Sequence, residues 1–425
     1  MELKSKSSKK DTYWMRVVVM LCMGWVTIWI YRSALPPLFS EIQGTVGNHS
    51  DTQMGMIASF YFAGSTFMQI PAGVLVDRFG KKIILIPGFL LFGIAALVIS
   101  QTPSLQIIYA ASVFAGLGCG CYYGAAYSIT SENIPEEKRS VATAFINNGA
   151  AVGMGMGMIL SSLLVKKIGL PWQSMMYLCL FLIAGTVLVF IFGLRSSKQK
   201  SIKILDSNSS VQNPTIEHKK ISLLSLRMLI CYLIYFGTCY GYYMVVTWLP
   251  AFLQEERGFQ GIAIGFSSAL VAFAAIPGAL IFSRIADKHR EKKAALILVL
   301  ELGAAMMLLI TVLATNATLL LISLILYGLL GKLAVEPILI SYISEQADPK
   351  ILGTTLGIAN FFGLSASIFA PTVTGMISDV SGSKEAGFYV SIFIMIFSAL
   401  LFYFISSHYA KKEKAILAIK MSSVK

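Results

Sequence analysis

The hydrophobic positions of this chain come in long unbroken runs that are separated by short polar segments. Strict alternation of apolar and polar residues, the mark of a half-buried strand, is absent from these runs. Each run holds about 20 residues, the length that a helix needs to cross the hydrocarbon core of a bilayer. We therefore predict twelve membrane-spanning helices. They cover residues 17–38, 53–76, 83–100, 105–130, 142–165, 174–194, 223–252, 262–282, 294–314, 318–343, 353–377 and 387–407.

The composition agrees with this pattern and excludes several classes of protein. Of the 425 residues, 56% are hydrophobic and 13% are charged, whereas soluble domains carry roughly 25% charged residues. A soluble surface cannot be built from that ratio, and a disordered chain would be poor in apolar residues. Six cysteines do not make a disulfide framework in a chain of this length. Because the loops leave no room for a soluble catalytic domain, we expect that the protein is not an enzyme.

The net charge of +13 indicates how the chain lies in the membrane. If the N-terminus is cytoplasmic, 28 of the 34 Lys and Arg residues fall in inner segments and four fall in outer loops. Cytoplasmic loops of membrane proteins carry such an excess of positive charge. We therefore predict a multi-pass protein of the cell membrane with both termini cytoplasmic. No basic stripe is interleaved with exposed aromatic residues, so we expect no nucleic-acid partner.

The predicted helices divide the chain into two related halves. The longest polar stretch lies between helices six and seven and is typical of a flexible linker. The pair Ser131-Glu132 recurs as Ser344-Glu345, about half of the chain length later. Two copies of one six-helix unit can face each other around a central cavity. The predicted units are an N-terminal tail at 1–16, a bundle at 17–194, a linker at 195–220, a second bundle at 221–408 and a C-terminal tail at 409–425.

A glycine-rich segment follows the second predicted helix. It reads Gly73-Val-Leu-Val-Asp77-Arg78-Phe-Gly80-Lys-Lys, and a weaker second copy surrounds Asp287. This segment resembles the loop signature of the major facilitator superfamily. The resemblance implies an all-α membrane protein with twelve helices in two pseudo-symmetric six-helix bundles. It also implies a conformational gate, which holds cytoplasmic helix ends together in the outward-facing state. The gate residues would be Gly73, Asp77, Arg78, Gly80 and Asp287. The alternative is a loop that only sets the topology.

Two features resemble the anion:cation symporter branch of the superfamily, which carries organic acids, sugar acids and organophosphates. One is a Trp-Leu-Pro motif that begins at Trp248, and the other is Arg32 in the first helix. The branch commonly has an arginine there that binds the anionic group of the substrate. The chain departs from the branch at Tyr31, which replaces an aspartate. It departs again in helix four, where Ser112 and Cys119 replace a basic and an acidic residue, so the usual proton-coupling site is missing there.

Four ionisable residues fall well inside predicted helices: Arg32, Glu301, Lys332 and Glu336. Each costs at least ~2.5–3.5 kcal/mol at a helix centre, so each needs a partner, water or a function. The resemblance implies that helices one, four, seven and ten line the cavity, which places Arg32, Lys332 and Glu336 there. Arg32 offers a planar fork of donors suited to a carboxylate, and we predict that it binds substrate. The alternatives are gating or structural pairing, and snorkelling to the outer interface.

Lys332 and Glu336 are four residues apart and share one face of the tenth helix. One hypothesis is a self-neutralising buried pair. The other is that Lys332 helps to bind an anion and so loosens its hold on Glu336, which then takes a proton. Pro337 predicts a kink at that point, with freed backbone groups lining the cavity. Glu301, on the peripheral ninth helix, is predicted to serve packing, with a proton relay as the second hypothesis.

Tyrosine and asparagine side chains complete the predicted cavity wall. We single out Tyr122, Tyr240 and Asn360 as substrate contacts, with helix packing as the alternative. Glycine patterns around Gly116 and Gly153 lie inside apolar helices and predict close helix packing instead of a dinucleotide site. With four histidines in the chain and no Walker-type loop, we expect no metal site and no cofactor.

These features predict a monomeric secondary transporter in the lipid bilayer. It would move a small organic anion by alternating access, in symport with a proton or another coupling ion. Alternatives within the fold are a carrier of an amino acid, a nucleoside or an exported drug. An amino acid would place its carboxylate on Arg32 and its ammonium group on Glu336. A receptor without transport activity is disfavoured, because the predicted linker holds no signalling domain.

Overall fold

Helices joined by short connections make up the computed structural model, which describes residues 2–194, 223, 225–348 and 351–422. The predicted linker at 195–220 lies outside the described residues. The α-helices are α1 (Glu2–Ala34), α2 (Phe39–Val46), α3 (Asp51–Phe79), α4 (Lys81–Gln101), α5 (Leu105–Asn133), α6 (Glu136–Ser161), α7 (Gln173–Gly193), α8 (Leu226–Glu255), α9 (Ile262–Lys288), α10 (Lys293–Leu313), α11 (Ala317–Leu330), α12 (Lys332–Gln346), α13 (Leu352–Ser381) and α14 (Glu385–Ser422).

These helices supply twelve crossings of a membrane when α1 with α2, and α11 with α12, each count as one. In the described chain, 11 segments are long and apolar enough for a crossing. The remaining crossing is α3, a helix of 29 residues with more polar positions. The predicted all-α class and its twelve helices are confirmed.

Local sequence signals explain where several helices begin and end. Ser50 caps α3, because its side chain accepts the backbone N–H of Gln53 while the side chain of Gln53 accepts the backbone N–H of Ser50. Gly80 separates α3 from α4 with a φ of 95°, a conformation that favours glycine. At the ends of the chain, α1 begins well before predicted residue 17 and α14 continues past residue 407.

The helices pack as two groups of six crossings. In the first group α3 and α4 pack on α5, and α1 packs on α6 and α7. In the second group α13 and α14 pack on α8, and α11 packs on α9 and α10. The most extensive helix contacts between the groups are α3 with α13 and α6 with α9. We call the groups the N bundle and the C bundle.

Two ion pairs at equivalent positions display the internal repeat in three dimensions. Lys81, the first residue of α4, pairs with Glu132 near the end of α5. Lys293, the first residue of α10, pairs with Glu345 near the end of α12 at 2.6 Å. The repeated Ser-Glu motif therefore supplies a helix-to-helix contact in each bundle.

Glycines allow the close helix crossings that the sequence predicts. A methyl group on Gly116 of α5 would collide with the backbone of Tyr61 on α3, and one on Gly64 would collide with the backbone of Val113. Gly153 of α6 meets the backbone of α1 in the same way. Small residues let helix backbones approach within a membrane. The packing interpretation of these glycine patterns agrees with the structure.

The tenth crossing is interrupted at Gly331, six residues before Pro337. The φ of −75° and ψ of −151° of Gly331 separate α11 from α12. The helix α12 then runs from Lys332 through Pro337 to Gln346 without ending. The kink expected at Pro337 stays a prediction, because proline can bend a helix that continues on both sides of it.

Candidate functional site

Arg32 lies near the end of α1, and its guanidinium group is held by neutral groups. Nε donates to the hydroxyl of Tyr61 at 2.9 Å, and Nη2 lies 3.2 Å from Ser65 Oγ and 3.4 Å from Cys119 Sγ. The group also lies over the rings of Trp29 and of Tyr61, 4.9 and 5.2 Å from their centroids. Among the described residues, Arg32 has no carboxylate partner. Its charge inside the membrane is therefore left without a counter-ion.

Lys332 and Glu336 form an ion pair on α12. The ammonium of Lys332 lies 2.8 Å from one carboxylate oxygen of Glu336, and Tyr235 donates a hydrogen bond to the other. The Lys332 ammonium also lies 5.3 Å from the centroid of the Tyr242 ring. The exposed fractions of the two side chains are 13% for Lys332 and 27% for Glu336, so both remain accessible from a cavity.

The two cations belong to opposite bundles, and contacts between aromatic rings connect their surroundings. Tyr123 on α5 and Tyr243 on α8 each interact electrostatically with both Arg32 and Lys332. A contact of aromatic rings also bridges the bundles, because Tyr243 meets Phe62 with centroids 4.9 Å apart. The structure therefore brings together Arg32, Lys332 and Glu336, as the sequence predicts, at a boundary lined with aromatic rings.

Glu301 lies apart from this group, in the interior of the C bundle. Its side chain is 1% exposed, and it accepts a hydrogen bond from Thr238 on α8. Its second oxygen has no hydrogen-bond partner among the described residues. Among the described contacts, none joins Glu301 directly to the charged groups of Arg32, Lys332 and Glu336. Its hydrogen bond with Thr238 connects α10 to α8. This placement favours the packing hypothesis for Glu301.

The structure places Tyr122 and Tyr240 in helix packing, away from the two cations. Tyr122 is fully buried, donates a hydrogen bond to the carbonyl of Leu21, and packs against Trp25. Tyr240 is 2% exposed and packs against Phe236 within α8. The adjacent Tyr123 takes the position that the sequence assigns to Tyr122. A helix turns by about 100° per residue, so adjacent tyrosines point to different surroundings.

Asn360 lies on the contact between the bundles instead of beside Arg32. Its side-chain amide donates to Gln69 of α3 at 3.4 Å. Trp29, Tyr61 and Tyr242 were not selected from the sequence, although each has a ring under one of the two cations. A signal existed for Trp29, which precedes Arg32 by three residues and therefore shares its helix face.

Carboxylate contacts close the gap between the bundles at one end of the molecule. Asp379 of α13 accepts the backbone N–H groups of Asp51 at 2.8 Å and of Thr52 at 2.9 Å, and also the Thr52 hydroxyl. These N–H groups belong to the first turn of α3, where the helix has no partners for them and favours negative charge. Asp379 therefore caps a helix of the other bundle.

Lys384 joins the same contact from the connection between α13 and α14. Its ammonium lies 2.9 Å from Asp51 and 2.5 Å from Glu255. Burial acts to lower the pKa of Lys384, but hydrogen bonds to Glu255 and Asp51 outweigh it and raise the pKa above its ordinary value. We call Asp51, Thr52, Glu255, Asp379 and Lys384 the lock cluster. A second contact between the bundles lies nearby. There Lys166 donates to Gln254 of the C bundle at 2.6 Å and to Glu41 of the N bundle at 2.8 Å.

The glycine-rich segment lies at the opposite end. A cavity there is lined by Gly73, Asp77, Gly124, Tyr127, Ser128, Thr130, Ser131, Arg139 and Thr143. All of these residues belong to the N bundle. Gly73 and Gly124 let α3 and α5 approach, since a methyl group on Gly124 would lie 3.2 Å from the Cα of Gly73. Two of the predicted gate residues, Gly73 and Asp77, thus border a cavity at the end remote from the lock cluster.

Other residues of the two signature copies have distinct surroundings. Lys82, which the sequence did not single out, donates to the carbonyls of Ile191 at 2.5 Å and Leu194 at 3.1 Å, so it caps the end of α7. The guanidinium of Arg78 lies over the ring of Phe79. Asp287 is exposed at the end of α9.

The chemistry of the described residues fits transport and binding rather than a metal site. No group of three or more His, Cys, Asp and Glu side chains comes together in the described part of the chain. The six cysteines are free. What the structure assembles is a membrane protein of two bundles with a cation from each at their boundary. These features define the class of membrane transporters for small molecules.

The chain belongs to the Major Facilitator Superfamily, whose family model matches residues 17–371. A "Cis,cis-muconate transport protein" from Acinetobacter baylyi is 25% identical over 349 residues, which cover 81% of this chain and 82% of that protein. "Multidrug resistance protein MdtL" from Escherichia coli is 24% identical over 236 residues, which cover 54% of this chain and 55% of that protein. The family and these relatives are transporters, so the expectation that the protein is not an enzyme is confirmed.

Solved structures confirm the fold. A bacterial homolog of the human lysosomal transporter Spinster, solved in an inward-facing and occupied conformation, superposes with a TM-score of 0.76. The match covers 93% of this chain and 97% of that chain at 16% sequence identity.

Proposed function

We propose that this protein carries a small organic anion across the cell membrane by alternating access, in symport with a proton. The observation that carries the proposal is Arg32, a cation inside a membrane-spanning helix whose hydrogen-bond partners are Tyr61, Ser65 and Cys119. A buried charge without a partner is costly, and a carboxylate of the substrate would supply the missing one. The similarity to a muconate transport protein supports an organic acid as the substrate.

Proton coupling would act through Glu336. Glu336 accepts hydrogen bonds from Lys332 and Tyr235. A substrate anion that approaches Lys332 competes with Glu336 for the same ammonium group. Once Lys332 pairs with the substrate, the Glu336 carboxylate has lost its cation and is a costly unpaired charge. Protonation of Glu336 neutralises that charge. Binding of the anion and of the proton would then be favourable together. Glu301 is the alternative proton carrier.

Alternating access would be a rocking of the halves at 17–194 and 221–408 about the cavity. The excess of Lys and Arg predicts that the termini are cytoplasmic, which puts the lock cluster on the outer side. The conformation would then be closed to the outside and open towards the cytoplasm. In the opposite conformation the N-terminal end of α13 would approach the cavity beside Asp77, and the contacts of the lock cluster would separate.

Uptake into proteoliposomes tests the proposal. The purified protein is reconstituted with an imposed inward proton gradient and offered a panel of radiolabelled organic acids. We expect accumulation of a carboxylate, and a loss on the order of 10- to 100-fold in Arg32→Gln, because a hydrogen bond to a charged group is worth about 1.5–3 kcal/mol. The matched control is Arg284→Gln, since Arg284 is exposed on α9. Undiminished uptake in Arg32→Gln would remove the argument for an anion.

A further inference from the structure

We propose that the substrate is a dicarboxylate, which places one carboxylate on Arg32 and the other on Lys332. This inference rests on the proposed transport of an organic anion and adds the number of its charged groups. The two cations belong to different bundles, and the contact between Trp29 and Tyr242 joins the surroundings of Arg32 and Lys332. A substrate with an anionic group at each end would join the bundles, whereas a monocarboxylate on Arg32 would leave Lys332 with Glu336.

The charges around the site leave room for a second anionic group. Arg32 and Lys332 contribute two positive charges, and Glu336, the carboxylate that a described contact brings to them, takes up a proton in the proposed coupling, so both cations are left to the substrate. Lys332 also lies at an unfavourable position for its own helix. It is the first residue of α12, where the helix dipole already places positive charge, and Gly331 puts that end inside the tenth crossing. In the structure the Glu336 carboxylate compensates for this position, and an anionic group of the substrate would take its place once Glu336 is protonated.

Aromatic rings lie between the two cations. The guanidinium of Arg32 lies 4.9 Å from the ring centroid of Trp29, and the ammonium of Lys332 lies 5.3 Å from that of Tyr242. Trp29 and Tyr242 in turn meet edge to face at 6.2 Å. The ring faces offer apolar surface between two charged ends. This arrangement fits a short hydrocarbon body that carries a carboxylate at each end, and it fits a polyhydroxylated body poorly.

A series of ligands of one chemistry tests the inference on the purified full-length protein. Competition binding is measured with succinate, glutarate and adipate and with the monomethyl ester of each. We expect one diacid to bind about 10- to 100-fold more tightly than its own monoester, because the ester loses a charge-assisted contact. The chain length that binds best reports the separation of the two cations. Equal affinity of every diacid and its monoester would overturn the inference.

A neutral double variant locates the second carboxylate. Lys332→Gln with Glu336→Gln removes the ion pair without leaving a lone charge, and we expect the ratio of diacid to monoester affinity to fall towards one. The control is Lys293→Gln with Glu345→Gln, a Lys–Glu pair between α10 and α12, which should keep the wild-type ratio. A wild-type ratio in the first double variant would also overturn the inference.

The outcomes separate this inference from the proposed function. Binding of monoesters and diacids with equal strength, lost in Arg32→Gln, would leave the organic-anion carrier standing and remove the dicarboxylate. Absence of binding for every carboxylate in the wild type would remove the proposed function itself.

Discussion

Trp29 and Tyr242 meet edge to face across the two bundles, with ring centroids 6.2 Å apart and planes at 70°. Trp29 belongs to α1, and the guanidinium of Arg32 lies over its ring. Tyr242 belongs to α8, and the ammonium of Lys332 lies over its ring. One aromatic contact thus joins the surroundings of the two intramembrane cations. A movement of one bundle relative to the other changes this contact, so the surroundings of both cations depend on the relative position of the bundles.

Replacement of Trp29 by leucine should weaken substrate binding. The variant removes the ring from beneath Arg32, and a cation–π contact is worth about 0.5–2 kcal/mol depending on exposure. We expect the KM for uptake to rise roughly 2- to 30-fold, with the larger values for a desolvated site. Trp14→Leu is the control, because Trp14 has a similar contact with Lys138 away from the cavity. Equal KM values for the two variants would show that the Trp29 ring does not position Arg32.

Glu336→Gln should separate exchange from accumulation. The amide keeps a hydrogen-bonding group near Lys332 and Tyr235 but cannot carry a proton. In proteoliposomes, substrate counterflow should continue while uptake driven by a proton gradient stops. Glu301→Gln is the comparison and should retain gradient-driven uptake. If accumulation persists in Glu336→Gln and fails in Glu301→Gln, Glu301 is the proton carrier.

Asp379→Asn should shift the conformational equilibrium. The variant weakens the cap that the C bundle places on α3, and an exposed charged contact of this kind is worth about 1 kcal/mol. We expect the population open at the lock end to rise roughly fivefold. Electron paramagnetic resonance with spin labels at Asn48 and Gln260, exposed residues at that end in different bundles, measures the distance.

The control for this shift is Glu385→Gln. Glu385 pairs with Arg257 at 2.7 Å, an ion pair at the same end but within the C bundle. Its loss should leave the distance distribution unchanged. An identical shift in both variants would indicate a general effect of charge at that end.

The contribution of Lys384 should not depend on pH near neutrality. Because its pKa is raised in the folded state, the stabilisation is fully present below the ordinary lysine pKa of about 10.4 and is lost as the pH rises through the higher folded value. The difference in Tm between the wild type and Lys384→Met should therefore stay constant from about pH 6 to 9. A difference that declines across this range would contradict the ion-pair assignment.

Asp77→Asn should slow turnover without unfolding the protein. The side chain borders the cavity at the end opposite the lock cluster, and the gate hypothesis gives it a contact that forms only in the other conformation. We expect kcat to fall severalfold while Tm changes by less than about 2 °C. Asp287→Asn, at the exposed second copy, is the matched comparison. Wild-type kcat in Asp77→Asn would reduce the segment to a topology signal.

The sequence by itself determined the class of the protein, its twelve crossings and the few residues with unusual electrostatic cost. Long apolar runs indicate membrane-spanning helices, and Arg32, Lys332 and Glu336 stand out because charges are rare in membrane helices. The internal repeat was also visible, and the equivalent ion pairs of Lys81 and Lys293 follow from it.

The tertiary structure alone decided which faces of the helices meet. Tyr123 instead of Tyr122 lies near the cations, the tenth crossing is interrupted at Gly331, and Asp379 caps a helix more than 300 residues away. A membrane helix is apolar towards lipid and towards its neighbours alike, so its sequence lacks the amphipathic pattern that orients a helix in a soluble protein. The contacts between helices supply that orientation.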